Sequence, residues 1–418
     1  MRYFPLTAAL LSIFMLTGCE SIKETVSNFI DTDANIGKNA PAVMGTIADI
    51  DALNEAAEEA EEAKLTPEEK AERERKAKLE KLTKRAEELL DEMTLEEKAA
   101  QLLLVRLPKE AAAAAEQYRF GGYTMYAEDF KNETPESIKE LTAAIGEASK
   151  VSPFIAVDEE GGTVVRVSKY TQFREEPFSS PQLLFERGGT ELLEIDTEEK
   201  AKLLTSLGIN LNLAPVADIS LDEESCIYPR TMGQNAEGTS EAVSTIVRVS
   251  NSKKLASCLK HFPGYGENTD THSGAAHDER ELYEFYNRDF LPFEAGINAD
   301  TDKTPAVMVG HTIYDSIDPD VPASLSEVIH DTLRERLGFD GVIITDDMGM
   351  DAITGYETES SVYVLGIKAG NDMLCVSDGE AALNDILAAL ENEELTEKEI
   401  NKHVLRILIM KLQYSIIK

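Results

Sequence analysis

The stretch KHFPGYGENTDTHSG, residues 260–274, holds two of the chain's six histidines, His261 and His272, with Lys260 and Asp270 beside them. Gly264, Gly266, Gly274 and Pro263 break any helix or strand here. The stretch is therefore a loop, and it concentrates groups that move protons near neutral pH. A metal centre, a proton-transfer loop and an ordinary turn all have to be weighed. A metal centre needs three or four ligands at compact spacing. Here His272 and His277 stand five apart, no Cys is near, and Lys260 repels a cation. No metal or other cofactor is expected. The pair Asp270 and His272 offers more. Asp270 can hold one ring nitrogen, aim the other at a ligand and raise the ring pKa by its charge. That makes a proton donor at neutral pH, and the glycines would let the loop move over a ligand.

Other reactive types stand at the ends of apolar runs. FIAVDEEGGTVVRV runs into Asp158, two Glu and a Gly pair, and GVIITDDMGMDAI runs into Asp346 and Asp347. A strand-end acid binds ligand hydroxyls, or else it is a solvated turn residue or a helix cap. Arg230 lies in SLDEESCIYPRTMG, where a surface charge is the ordinary reading, and His311 follows an apolar run in VGHTIYDS, where a hydrogen-bonded buried ring is as good a reading as a catalytic one.

Eight short apolar runs must position these residues: 101–105, 122–126, 154–158, 210–215, 257–262, 306–311, 341–346 and 372–376. Amphipathic stretches such as 135–148, 197–207, 239–253, 325–337 and 379–390 separate them. That alternation predicts an α/β fold, a (β/α)8 TIM-type barrel, with a doubly wound open sheet as the competitor. The barrel is favoured because the runs are short and polar residues recur at their C-terminal ends, which a barrel gathers at one mouth. Thr66-Pro67-Glu68-Glu69 and Thr94-Leu95-Glu96-Glu97 read as helix starts, each with a Glu three residues after a Thr cap.

The chain opens on MRYFPLTAALLSIFMLTGCES, one basic residue, an apolar run and small residues before Cys19. This reads as a secretory signal rather than a spanning helix. The ending Leu-Thr-Gly-Cys resembles a bacterial lipobox, which implies lipidation of Cys19 and an extracytoplasmic, lipid-anchored chain. The expected organisation is a signal over 1–18, an acidic linker over 19–65, a charged helix over 66–92 and one catalytic barrel domain over 93–418. The other cysteines, Cys226, Cys258 and Cys375, are odd in number and widely spaced, and are expected as buried thiols. A net charge of −37 excludes charge-driven binding of nucleic acid or an anionic membrane surface, so membrane contact is expected through the anchor only. Trp is absent, so any sugar-stacking platform falls to Tyr or Phe. No protein partner is evident.

The motifs AVDEEGGTVVRV, NLAPVADIS, IYPRTMG, KHFPGYG with DTH, PASLS and FDGVIITDDMGMDAI follow one another in the order seen in glycoside hydrolase family 3. From about residue 90 onward the chain resembles that family's N-terminal barrel domain. Within it, the Asp-x-His loop resembles the β-N-acetylhexosaminidase branch, which removes terminal N-acetylglucosamine. The β-glucosidase branch usually takes its acid/base from a second α/β domain. This sequence ends at Lys418, so no C-terminal α/β sandwich is expected and the acid should come from the barrel's own loop. The resemblance implies Asp346 as nucleophile, His272 as acid/base, Asp270 as its partner, and Asp158, Arg166, Arg230, Lys260 and His261 as sugar-binding residues. It implies a retaining glycosidase acting on a carbohydrate, with cell-wall glycan as the expected source. A neutral His would not repel phosphate as a carboxylate does, so phosphorolysis beside hydrolysis is a further expectation. A β-glucosidase or β-xylosidase, or a non-catalytic glycan-binding lipoprotein, are the alternatives. Tyr265 stands where many members carry His, and Met348-Gly349-Met350 where Leu-Ser-Met is common.

Overall fold

The computed structural model describes residues 65–266, 271, 274–300 and 302–418. The expected signal, Cys19 and the linker up to residue 64 lie outside the described residues, as do Asp270 and His272. The chain divides between Glu74 and Arg75, and the barrel and its site belong to the second unit.

Parallel strands buried on both sides read as unbroken apolar runs, and all eight expected runs become barrel strands. They are β1 (Leu103–Arg106), β2 (Gly122–Met125), β3 (Phe154–Val157), β4 (Leu211–Asn212), β5 (Ala256–Phe262), β6 (Ala306–Val309), β7 (Ile343–Asp347) and β8 (Met373–Val376). Each pairs in parallel with its neighbour in sequence, and β1 closes the ring between β8 and β2, Leu104 facing Cys375 on one side and Gly122 on the other. The chain thus forms a closed (β/α)8 barrel, not an open sheet.

Helix starts are set by local chemistry. Thr94 and Thr396 close capping boxes with Glu97 and Glu399, and Thr134 precedes a Pro at the first turn of Pro135–Ala148. The helix Pro67–Asp91 starts at Thr66, whose hydroxyl accepts from the Glu69 N–H. Its last turns turn inward, with Ala86 and Leu90 buried in the core. Behind β5, Phe262 stacks on Phe290 at 5.4 Å and meets Phe293 edge-on at 5.2 Å. Burying one such ring stabilises by about 1.5–3 kcal/mol relative to exposing it, and here it fixes the strand that carries Lys260 and His261.

Three expectations change. The helix expected over 197–207 is the second half of Pro181–Ser206, which kinks at Gly189. That expected over 325–337 is Glu327–Asp331 running into a π-helical turn, Thr332–Arg336. A small sheet was not foreseen: His277–Asp278 pairs in parallel with Ile313–Tyr314, which pairs antiparallel with Asp318–Pro322. Two of these strands have two residues and show no hydrophobic period, and the third, Asp318–Pro322, carries two Pro and two Asp, which read as a turn.

The far end of the barrel is stapled by charge. Asp372, fully buried where the chain enters β8, takes Arg334 at 2.6 Å, His403 at 2.9 Å and Arg406 at 3.1 Å. Burial alone would raise its pKa, but these cations hold it at about 2.

Candidate active site

The mouth begins where β3 ends. Asn212 of β4 receives the Glu159 N–H at 3.0 Å and donates to the Glu159 carbonyl at 3.1 Å. The fully buried Glu159 carboxylate then accepts the N–H groups of Arg166 at 2.8 Å and Val167 at 2.7 Å, and the Ser168 hydroxyl. This folds the GGTVVR segment back and sets Arg166 3.7 Å from Asp158. Gly161 is needed for that turn: its φ is +104°, and a Cβ there would lie 2.2 Å from the Ser179 carbonyl oxygen.

From the end of β5, Lys260 reaches Asp158 and Glu160, each at 2.7 Å, with its side chain only 2% exposed. Glu160 is gripped in turn by the Arg230 fork, Nε at 3.0 Å and Nη2 at 2.8 Å. The result is a ladder of alternating charge, Asp158–Lys260–Glu160–Arg230. Burial alone would push the Glu160 carboxyl up; Lys260 and Arg230 drive it far below the ordinary range. Burial would likewise lower Lys260, yet Asp158 and Glu160 raise it, so Lys260, Glu160 and Arg230 are charged together.

The Lys260–His261 peptide is cis. The His261 Nδ1 lies 2.7 Å from the buried Asp218 carboxylate, which also receives the backbone N–H groups of His261 at 3.1 Å and Tyr265 at 2.8 Å. A carboxylate only accepts, so Nδ1 carries the hydrogen and Nε2 faces the mouth. There it lies 3.3 Å from Arg230 and 3.9 Å from Asp346.

Asp346 ends β7 with its side chain 22% exposed. Its Oδ1 accepts the Asp347 N–H at 2.8 Å. Burial raises its pKa, but the His261 and His311 rings, that backbone N–H and Lys260 outweigh burial and hold it below the ordinary Asp value. Tyr126 lines the same mouth; burial and the nearby acids push its hydroxyl well up, so it stays a neutral donor.

These residues enclose a cavity of about 430 Å³ lined by Asp158, Arg166, Arg230, Lys260, His261 and Asp346. The structure therefore brings together all six of the expected site residues that it describes. Asp270 and His272 lie outside the described residues, but Thr271 between them in sequence lines this cavity, its N–H donating to the Tyr265 hydroxyl at 2.9 Å. Two expectations change. Gly264 and Gly266 are not free swivels. The Gly264 carbonyl accepts from Arg280 at 3.1 Å and from Tyr314 at 3.0 Å, and a Cβ at Gly266 would lie 2.6 Å from the Arg280 guanidinium. Cys226 is exposed and lines the mouth, whereas Cys258 and Cys375 are buried as expected. Glu160, Asp218, Tyr126 and Tyr265 were not singled out as site residues. Glu160 and Asp218 showed only as members of motifs read for other residues, Tyr126 only as the end of an apolar run, and Tyr265 only as a departure from the family's usual His.

Residues 94–410 match the Glycosyl hydrolase family 3 N terminal domain. The chain belongs to that family. Among curated family relatives, the Stenotrophomonas maltophilia strain K279a protein named Beta-hexosaminidase is 32% identical over 284 residues, 66% of this chain and 81% of that protein. The Hydrogenovibrio crunogenus protein of the same name is 31% identical over 266 residues, 61% of this chain and 72% of that protein. Among solved structures, a glycoside hydrolase family 3 beta-N-acetylglucosaminidase from Paenibacillus sp. str. FPU-7 superposes with a TM-score of 0.70 at 28% identity, covering 78% of this chain. This chain spans 63% of that protein's length.

In this family 3 barrel the mouth has the parts for glycosidic chemistry. It holds a partly exposed ionised carboxylate, a ladder of fixed charges able to bind several hydroxyls, and Thr271 on its lining.

Proposed function

We propose that the protein is a retaining exo-glycosidase that removes terminal β-linked N-acetylglucosamine from glycans, with cell-wall-derived fragments as its natural substrates. The observation that carries this reading is Asp346: ionised, 22% exposed, and facing a cavity that Thr271, the sequence neighbour of Asp270 and His272, also lines. The beta-hexosaminidase and beta-N-acetylglucosaminidase names of its relatives support the sugar assignment.

On this reading the sugar hydroxyls bind Asp158, Lys260, Arg166, Arg230 and His261. An Asp346 oxygen attacks the anomeric carbon and forms a glycosyl ester. His272, held by Asp270, protonates the leaving oxygen as that bond breaks. His272 then takes a proton from water, which attacks the same carbon, and Asp346 leaves as carboxylate.

A panel of nitrophenyl β-glycosides, with Asp346→Asn and His272→Ala beside the unaltered protein, tests the proposal. The N-acetylglucosaminide should be cleaved, and each change should cost at least about 100-fold in kcat. Activity that survives both changes overturns the mechanism, and cleavage of the glucoside alone moves the protein to the β-glucosidase class. Release of N-acetylglucosamine from an N-acetylglucosaminyl-N-acetylmuramic disaccharide checks the natural substrate, and sugar 1-phosphate formed in phosphate buffer would mark phosphorolysis.

A further inference from the structure

His311 is unused by the mechanism above, yet it is buried beside the proposed nucleophile. It follows β6 by two residues and is 1% exposed. Its Nε2 lies 3.0 Å from the Asp347 carbonyl oxygen. A carbonyl only accepts, so Nε2 carries the hydrogen. Burial lowers the ring's pKa and keeps it neutral, so Nδ1 is an acceptor. It takes the hydroxyl of the fully buried Ser324 at 2.7 Å. Ser324 is itself fixed, since its carbonyl receives the Asn371 amide at 2.7 Å.

Asp347 is thus held on both sides. Its carbonyl is tied to His311, and its N–H donates to Asp346 Oδ1 at 2.8 Å. The strand ladder gives less support here, because the pairing of β7 with β8 shifts register between Ile344 and Asp347. Both ring nitrogens are engaged by buried groups, which leaves no proton path to a substrate.

Resting on Asp346 as nucleophile, we infer that His311 is a positioning residue for that carboxylate, with Ser324 setting its tautomer. PASLS is in this light the motif that aims the nucleophile.

The test compares His311→Leu, His311→Gln and Ser324→Ala on the glycoside the protein cleaves best, with Asp346→Asn in parallel. His311→Leu should lose about 100-fold in kcat, the scale of a misplaced reacting group, with KM within about threefold. The loss should be equal from about pH 7 upward, where a neutral donor has no limb to remove. His311→Gln can place an amide N–H near Nε2 and should recover kcat to within about tenfold of the original. Ser324→Ala should lower kcat by about three- to tenfold at unchanged KM, the worth of one hydrogen bond. A wild-type kcat in His311→Leu, a Gln variant as slow as Leu, or a displaced pH limb would each overturn the inference. If the Leu variant does not fold, an unchanged kcat in Ser324→Ala overturns it instead. An active Asp346→Asn would sink the nucleophile reading itself, whereas an inactive Asp346→Asn beside an active His311→Leu sinks only this one.

Discussion

Replacing Glu160 by Gln tests the charge ladder most directly. Glu160 makes three contacts with two cations, Arg230 at 3.0 and 2.8 Å and Lys260 at 2.7 Å, and its own side chain is 2% exposed. A Gln oxygen can still accept from Arg230. Its amide N–H groups would then face the Lys260 ammonium, donor against donor. Lys260 is buried and would keep only Asp158; Arg230 would lose its fork. Breaking a buried pair by removing one partner costs about 3–5 kcal/mol. At about 2 °C per kcal/mol for a domain of this size, the melting temperature should fall by about 6–10 °C near pH 7. The pH dependence has a definite sign. The folded pKa of Glu160 lies below its ordinary 4.5, so its contribution is fully present above pH 4.5 and is lost as pH falls through the folded value. The gap between the two proteins should therefore be constant above about pH 5 and narrow in acid. With Arg230 no longer forked, KM for the glycoside should rise more than kcat falls. Thermal melts from about pH 3 to 8, paired with steady-state kinetics, give both readouts. A variant melting within about 1 °C of the original near neutrality would refute the claim that these cations depend on Glu160.

Two more changes test other parts of the fold. Tyr265→Phe removes the hydroxyl that accepts from the buried Thr271 N–H at 2.9 Å. An unsatisfied buried N–H costs about 1–3 kcal/mol, so Thr271 should be less well held and kcat should fall about tenfold with KM little changed; an unchanged kcat shows that Thr271 does not govern His272, the proposed proton donor. Lys411 is fully buried, with Gln101 at 2.8 Å as the only hydrogen-bond partner of its ammonium among the described residues, and burial pulls its pKa from 10.5 to about 7. Its unfolded form binds more protons between those values, so stability should rise with pH across about 7 to 10.5, by up to about 5 kcal/mol. Lys411→Met should flatten that rise in denaturant melts, at the cost of an unpaired Gln101 oxygen; a rise that persists in the variant would place its origin elsewhere.

The barrel was legible because each strand is an apolar run buried on both sides, a local property that a window of five residues displays. Asp158, Lys260, His261 and Asp346 were legible for the same reason: they stand where those runs stop. The pairings were not. Glu159 and Glu160 are chemically identical neighbours, yet one anchors a loop through backbone N–H groups and the other neutralises Lys260 and Arg230. Nothing in DEEGG distinguishes them, because the cations that do so lie 70 and more residues onward. Asp218 was hidden likewise within NLAPVADIS, 43 residues from the ring it orients. The glycines after Lys260 read as a hinge since sequence shows their freedom but not the Asp289 and Arg280 atoms packed against them.

The mouth sets four carboxylates close together, and their surroundings sort them into different tasks. Glu160 is spent on two cations and has no face left for substrate. Asp218 is buried and saturated by three N–H groups. Asp158 shares Lys260 and a longer contact with Arg166, and its 16% exposure leaves one side for a hydroxyl. Asp346 differs from Asp158 and Glu160 in having no Lys or Arg in hydrogen-bonding contact among the described residues, and from Asp218 in being partly exposed; the His261 ring stands 3.9 Å from it. It is therefore held ionised by nearby rings, Lys260 and one backbone N–H rather than by a Lys or Arg ion pair, and its other oxygen can approach an electrophilic carbon without first breaking one. The ladder that engages Asp158 and Glu160 also leaves Asp346 without a Lys or Arg partner, so a charge change at Glu160 should be felt at Asp346, the proposed nucleophile, which it never touches.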